Sequence, residues 1–213
     1  FPSCQRTITT LDFRIQNPIA EQQFPICRFH LKHEISDRFL KIGNFDVGLD
    51  SCDNNWYSID LDTTTTIVDV HCQELAAIIV EPVQRIIGPQ PGFLAGLREL
   101  ASKHSIPLIF DEVVTSFRLA YGGAQEYYGV TPDLCSVGKI MGGGYPLAAV
   151  MGRAEIMSVY DQKGVASNEY VNQIGTLNGT PIACAAGLAT LKELRKEGTY
   201  ERLRHVGGQI RSA

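Results

Sequence analysis

At 213 residues the chain is long enough to bury a sizeable core, as one large domain or two small ones. Its composition, 44% hydrophobic and 20% charged, is that of an ordinary globular protein, and a net charge of −4 without a basic stripe argues against a nucleic-acid binder. No apolar run reaches the roughly eighteen residues of a membrane span, and the opening FPSCQRTITT is neither a signal peptide nor a methionine start.

The chain closes on GQIRSA inside a helical pattern, so it reads as cut from something longer. Residues 1–71 show little clean periodicity. The cluster Cys27, His30 and His33, with Cys52 further on, lacks the second close ligand pair of a zinc site, so no metal is expected. The six cysteines, at 4, 27, 52, 72, 135 and 184, have irregular spacings that suit the reduced thiols of a cytoplasmic protein better than a disulfide framework. The run TTTT at 63–66 predicts a β-branched strand or a polar turn.

From about residue 72 the pattern sharpens. LAAIIV (75–80) and PLIF (107–110) are short, fully apolar runs, as in strands of a parallel sheet covered on both faces. Between them, GFLAGLRELASKH (92–104) repeats Phe93, Leu97, Leu100 and Ala101 at helical spacing, which completes a βαβ unit. LCSVG (134–138) and LAAVMG (147–152) predict two more strands. TPIACAAGLATLKELRKEG (180–198) predicts a helix capped by Thr180, with Pro181 at its first position and Gly198 just past its end. The fold class is therefore α/β, a mostly parallel sheet flanked by helices.

Ligands of open parallel sheets bind beyond the carboxyl ends of the strands. Three predicted strands end in an ionisable residue: Glu81, Asp111 and Lys139. A carboxylate directly after LIF needs a partner, because an isolated buried charge is very costly. A lysine buried after SVG could serve as a neutral amine nucleophile. Asp111 and Lys139 could equally pair as a structural ion bridge. The glycines at 142–144 remove three side chains beside the lysine and let backbone approach a flat or charged ligand. They follow the lysine, so they do not form a Walker-type phosphate loop. A Schiff-base lysine working with an aspartate on a ring nitrogen is what pyridoxal phosphate demands.

Three stretches in order, IFDEVVTSFR (109–118), GGAQEYYGVTPDLCSVGKIMGGGYPLAAVMG (122–152) and GTLNGTPIACAAGLATLKEL (175–194), resemble the class III pyridoxal-phosphate aminotransferases. The branch nearest in pattern is the glutamate-1-semialdehyde 2,1-aminomutases. The resemblance runs from about residue 72 to the end, roughly two thirds of the chain. It implies an incomplete large domain of the fold-type I transferases, pyridoxal 5′-phosphate as cofactor, a small amino substrate, and a homodimer.

At matching positions it implies that Lys139 forms the internal aldimine and shuttles the proton between Cα and C4′. Asp111 would keep the pyridine nitrogen protonated. Val113 would pack on the ring face, or else be ordinary core. Thr176 would bind the cofactor phosphate of the neighbouring subunit, or else satisfy a local turn. Glu81 matches a carboxylate near the site, or else caps or pairs locally.

Two departures stand out: Ser116 occupies a position where the family has glycine, and Thr180 one where it has asparagine. If position 116 needs a positive φ, the serine costs about 1 kcal/mol. The family's phosphate loop, SGTEA-like, does not occur before residue 72, and the C-terminal domain does not follow. The resemblance therefore implies either an aminotransferase or aminomutase, or a catalytically incomplete piece of one that acts only by binding or association.

Overall fold

The computed structural model describes residues 38–42, 56–58, 60–84, 87–164, 166 and 170–212. Cys27, His30, His33 and Cys52 lie outside the described residues.

Six strands form one sheet: β1 (Arg38–Ile42), β2 (Trp56–Ser58), β3 (Leu75–Val80), β4 (Leu108–Glu112), β5 (Leu134–Val137) and β6 (Ala149–Gly152). Their order is β2-β1-β3-β4-β5-β6. Every pair is parallel except β5 with β6, which is antiparallel. The chain steps outward from β1 to β2 and then returns to β3 on the other side of β1, so the strand order reverses between β1 and β3. Both strands from the 1–71 segment belong to this same sheet.

The predicted βαβ unit is present. Helix α2 (Phe93–Lys103) buries Leu94, Leu97, Leu100 and Ala101 against the sheet. It begins at Gly92, whose φ of 79° a side chain would strain. Strand β3 is apolar throughout because both of its faces are covered. On one face Leu75, Ile78, Val80, Leu108, Phe110, Cys135 and Val137 meet α2 and α1. On the other, Ala77, Ile109 and Leu134 meet Ile156, Met157 and Val159 from the segment that includes helix α4 (Ala154–Met157).

The threonine run is neither strand nor turn. It lies in helix α1 (Leu61–His71), capped by the Asp60 side chain on the Thr63 N–H at 2.8 Å. The hydroxyls of Thr64, Thr65 and Thr66 donate to the carbonyls of Asp60, Leu61 and Asp62 four residues back. That back-bonding gives the hydroxyls partners inside a helix that β-branching alone disfavours.

Strand β4 also runs further than its apolar core, taking in Asp111 and Glu112. Helix α3 (Gly123–Tyr128) follows its loop. Asp133, at the start of β5, accepts from Arg98 Nη1 at 2.6 Å, from the Leu108 N–H at 2.9 Å and from Arg153 Nη1 at 3.2 Å. It thereby ties α2, β4 and the start of α4 together.

Helix α5 (Pro181–Leu194) has Pro181 in its first turn, as expected. Thr180 holds the N-cap position, but its hydroxyl donates to the Leu177 carbonyl at 2.6 Å instead of capping an N–H. The helix ends at Arg195, not at Gly198. Gly198, with φ 79°, instead opens the last helix, α6 (Thr199–Ser212), and its carbonyl accepts from the Arg202 N–H.

Candidate active site at the ends of the central strands

Asp111 and Lys139 come from neighbouring strands. Asp111 pairs in register with Ser136 of β5, and Lys139 lies three residues beyond Ser136. Adjacent strands are about 4.8 Å apart and three residues reach about 11 Å at most, so the two Cα atoms lie within about 16 Å of each other. Glu81 follows the last rung of the β3–β4 ladder, Val80 with Phe110, and so stands level with Asp111. Three of the five predicted residues therefore gather at one end of the sheet. The structural alternative of an Asp111–Lys139 ion pair is not what the described residues form.

Asp111 is half-buried and well held. Its Oδ1 accepts from the Val113 N–H and from the Ser136 hydroxyl, both at 3.0 Å. Among the described residues no donor reaches Oδ2, which leaves one carboxylate oxygen for a ligand. Val113 is half-buried, and a methyl built on Gly138 would stand 3.8 Å from its Cγ1, so Val113 borders the residue before the lysine.

Lys139 departs from the expectation of a buried amine: it is exposed, between buried Gly138 and Met141. Its backbone is strained, with φ 49°, where a side chain crowds the following carbonyl. It opens a 3₁₀ turn (Lys139–Gly142).

Two of the three glycines after it, Gly142 and Gly143, serve packing. A β-carbon at Gly143 would overlap Thr190 Oγ1 and sit 3.1 Å from the Ala186 carbonyl oxygen, and one at Gly142 would meet Leu147 at 3.3 Å. Helix α5 in turn needs Gly187, where a β-carbon would lie 3.0 Å from the Met141 carbonyl. Only Gly144, with φ 93°, has open space beside it.

Thr176 makes no hydrogen bond to these residues among the described residues. It opens a turn over 176–179 within an exposed segment. Exposed Ile174, Leu177 and Ile182 flank it.

Sequence reasoning missed two residues. Ser136 is the one polar side chain in LCSV, and strand alternation puts it on the same face as Asp111. Glu112 is completely buried: its carboxylate accepts from the Thr115 hydroxyl at 3.0 Å, from the Ala124 N–H, and from the Gln125 N–H and side-chain amide at 3.3 and 3.2 Å. This ties the loop after β4 back onto the strand. Ser116, in that loop, does not have a positive φ; the left-handed residue is its neighbour Phe117, with φ 57°. The cost at Ser116 is of another kind, a buried hydroxyl with no partner among the described residues. Phe117 is latched from afar, its carbonyl accepting from Tyr200 Oη at 3.0 Å. A cavity of about 360 Å³ beside this loop is lined by Ser116, Phe117, Tyr121, Gln125 and Val137, and by neither Asp111 nor Lys139.

A carboxylate with one open oxygen, an amine in the turn that follows the next strand and an apolar residue beside Gly138 suit a flat, nitrogen-containing ring with a reactive carbonyl. Comparison with known proteins points the same way. The family described as aminotransferase class-III matches residues 35–213. The chain is 49% identical over 154 residues to glutamate-1-semialdehyde 2,1-aminomutase 2 of Brevibacillus brevis, covering 71% of this chain and 35% of that one. It is 53% identical over 147 residues to glutamate-1-semialdehyde 2,1-aminomutase of Syntrophobacter fumaroxidans, covering 68% and 33%. It thus spans about a third of the length of these curated relatives.

Among solved structures, an omega-transaminase from Sphaerobacter thermophilus superposes with a TM-score of 0.74 at 33% identity, covering 83% of this chain and 48% of that one. A transaminase with PLP bound superposes at 0.71 with 26% identity and the same coverage. The sheet is thus part of the fold-type I transaminase architecture, and no helix among the described residues is long and apolar enough to cross a membrane. The likeness covers the strand ends that carry Glu81, Asp111 and Lys139, and the chain belongs to the class-III aminotransferase family.

Proposed function

We propose that the chain forms the cofactor side of a pyridoxal-phosphate-dependent aminotransferase or 2,1-aminomutase that acts on an amino acid or amino-aldehyde. The observation that carries this reading is the placement of Asp111, held through Oδ1 alone, on the strand beside the one that leads into Lys139. When bound, pyridoxal phosphate supplies an electron sink for a carbanion at the substrate Cα. Lys139 would hold the cofactor through its amine and, once the substrate amine has taken its place, would carry the substrate Cα proton. Asp111 would hold the ring nitrogen through its open oxygen and keep it protonated. Val113 would cover a face of the ring, and Glu81 would add a carboxylate at the edge of the site. Residues 72–213 carry all of these groups. A transaminase and an aminomutase use the same residues, so the family likeness favours the aminomutase through the names of its relatives.

Thr176 fits a role across a dimer. Its segment is exposed, and a cytoplasmic homodimer would let its hydroxyl bind the phosphate of the partner's cofactor.

A second reading has an observation of its own. Lys139 is exposed, as are Ile174 (75%), Leu177 (65%), Ile182 (62%) and Ile210 (72%). Exposed apolar side chains of this kind, where contiguous, mark a face that other protein covers. A catalytically incomplete piece that acts through association would show the same surface.

Absorbance after addition of pyridoxal phosphate tests the first reading. A visible band is expected with the wild-type chain and its loss in Lys139→Ala; a band that persists in Lys139→Ala rules out the lysine. Amino transfer by the chain alone would count against the second reading.

A further inference from the structure

We infer that Ser136 is a positioning residue that sets the carboxylate of Asp111 for the ring nitrogen, an inference that rests on the cofactor reading above. The two residues are direct partners in the β4–β5 ladder. Alternation along β4 turns Leu108 and Phe110 to one face and Ile109 and Asp111 to the other; in β5, Cys135 and Val137 take the first face and Leu134 and Ser136 the second. Ser136 and Asp111 are therefore side by side on one face, and Ser136 is 8% exposed.

The serine hydroxyl and the Val113 N–H converge on the same oxygen, Oδ1, each at 3.0 Å. A single donor would leave the carboxylate free to turn about Cβ–Cγ and exchange its oxygens. Two donors from different directions, one from the next strand and one from the following backbone, fix which oxygen is engaged and which is presented. Hydrogen bonds to charged groups are also stronger than those between neutral groups. The hydroxyl makes no other hydrogen bond among the described residues, so its one interaction is with Asp111.

The test uses the full chain with pyridoxal phosphate labelled with ¹⁵N in the ring. It reads cofactor affinity from the visible absorbance and ring protonation from the ¹⁵N shift. Ser136→Ala is expected to weaken binding by about 5- to 10-fold, the loss of one charge-assisted hydrogen bond, and to move the ¹⁵N signal towards the unprotonated ring. Ser136→Thr should restore both.

Ser136→Val against Ser136→Thr gives the same contrast at constant shape and serves where alanine impairs folding. Equal affinity and equal ¹⁵N shift in the Val and Thr variants, with only the unfolding midpoint changed, would reduce Ser136 to a structural role and overturn the inference. Asp111→Ala separates the two levels. If it leaves the ¹⁵N signal where the wild type has it, the aspartate assignment fails. If it shifts the signal while Ser136→Val does not, only the serine inference fails.

Discussion

Gly143 faces Thr190 across the contact between the turn that starts at Lys139 and helix α5, so closely that no β-carbon fits between them. The glycine also has φ 58°. Gly143→Ala therefore carries two penalties: a left-handed alanine, about 1–2 kcal/mol, and crowding against Thr190 and the Ala186 carbonyl, about 1–3 kcal/mol. Urea unfolding should show a loss of about 2–5 kcal/mol. Gly144→Ala, with φ 93° but open space, should lose only the conformational part. Equal losses at the two positions would mean that packing on α5 is not what the glycine serves.

Lys139 stores backbone strain at the position that the cofactor reading makes reactive. With φ 49° it pays a steric cost that glycine does not. Lys139→Gly should accordingly be more stable than Lys139→Ala by about 1 kcal/mol, the reverse of the usual order of these residues. Denaturation midpoints of the two variants decide it, and alanine equal to or above glycine would remove the strain from the account.

Ser116 should prefer to lose its hydroxyl. The oxygen is buried without a partner among the described residues, and such a group costs about 1–3 kcal/mol. Ser116→Ala removes it in a backbone that alanine tolerates, so a gain of about 1 kcal/mol is expected from the unfolding midpoint. A loss of stability would show that the hydroxyl has a partner after all.

These cases show what the sequence made legible. β3, α2 and the strand before Lys139 could be read because burial on one or both faces writes itself into runs such as LAAIIV and into the spacing of Leu97, Leu100 and Ala101. The end of β4 and the partner of Asp111 could not be read, because the Asp111–Ser136 contact depends on the register of two strands 25 residues apart in sequence. The threonine run misled for a local reason: propensity points away from helix, while three hydroxyls bonded back to carbonyls reconcile the run with one. The glycines beside Lys139 are plain in the sequence, but the reason for Gly143 lies in helix α5, about forty residues on.

Asp133 gives the fold a pH dependence of known sign. Burial works to raise its pKa, but the Leu108 N–H and the Arg98 and Arg153 guanidinium groups outweigh it and hold the carboxyl below its ordinary 3.8. A depressed folded-state pKa adds stability that is complete above the unfolded value and is lost as pH falls through the folded one. Asp133→Asn should thus destabilise by about 2–4 kcal/mol at neutral pH, since it leaves Arg98 and Arg153 without their shared partner. The gap from wild type should narrow below pH 3.8. A gap that stays constant down to the acid transition would mean that the carboxylate charge is not what matters.

Glu112 tests whether the loop leaving the site is held by one side chain. Its carboxylate, completely buried, takes donors from Thr115, Ala124 and Gln125, and a β-carbon on Gly123 would overlap it. Glu112→Ala strands four donors and opens a cavity, so a loss of about 3–5 kcal/mol is expected. Glu112→Gln keeps the volume and one acceptor oxygen but sets an amide NH₂ against backbone N–H groups, so it should lose less. Amide exchange at Ala124 and Gln125 should quicken in both variants while exchange at Ile109 and Phe110, in the core of β4, changes only as far as global stability does. Asp111 and Glu112 are consecutive and point to opposite faces of one strand. If loop exchange rises while cofactor absorbance holds, the glutamate secures the loop and the aspartate serves the site independently. If both change together, the loop anchored by Glu112 is also what keeps the Val113 N–H on Asp111.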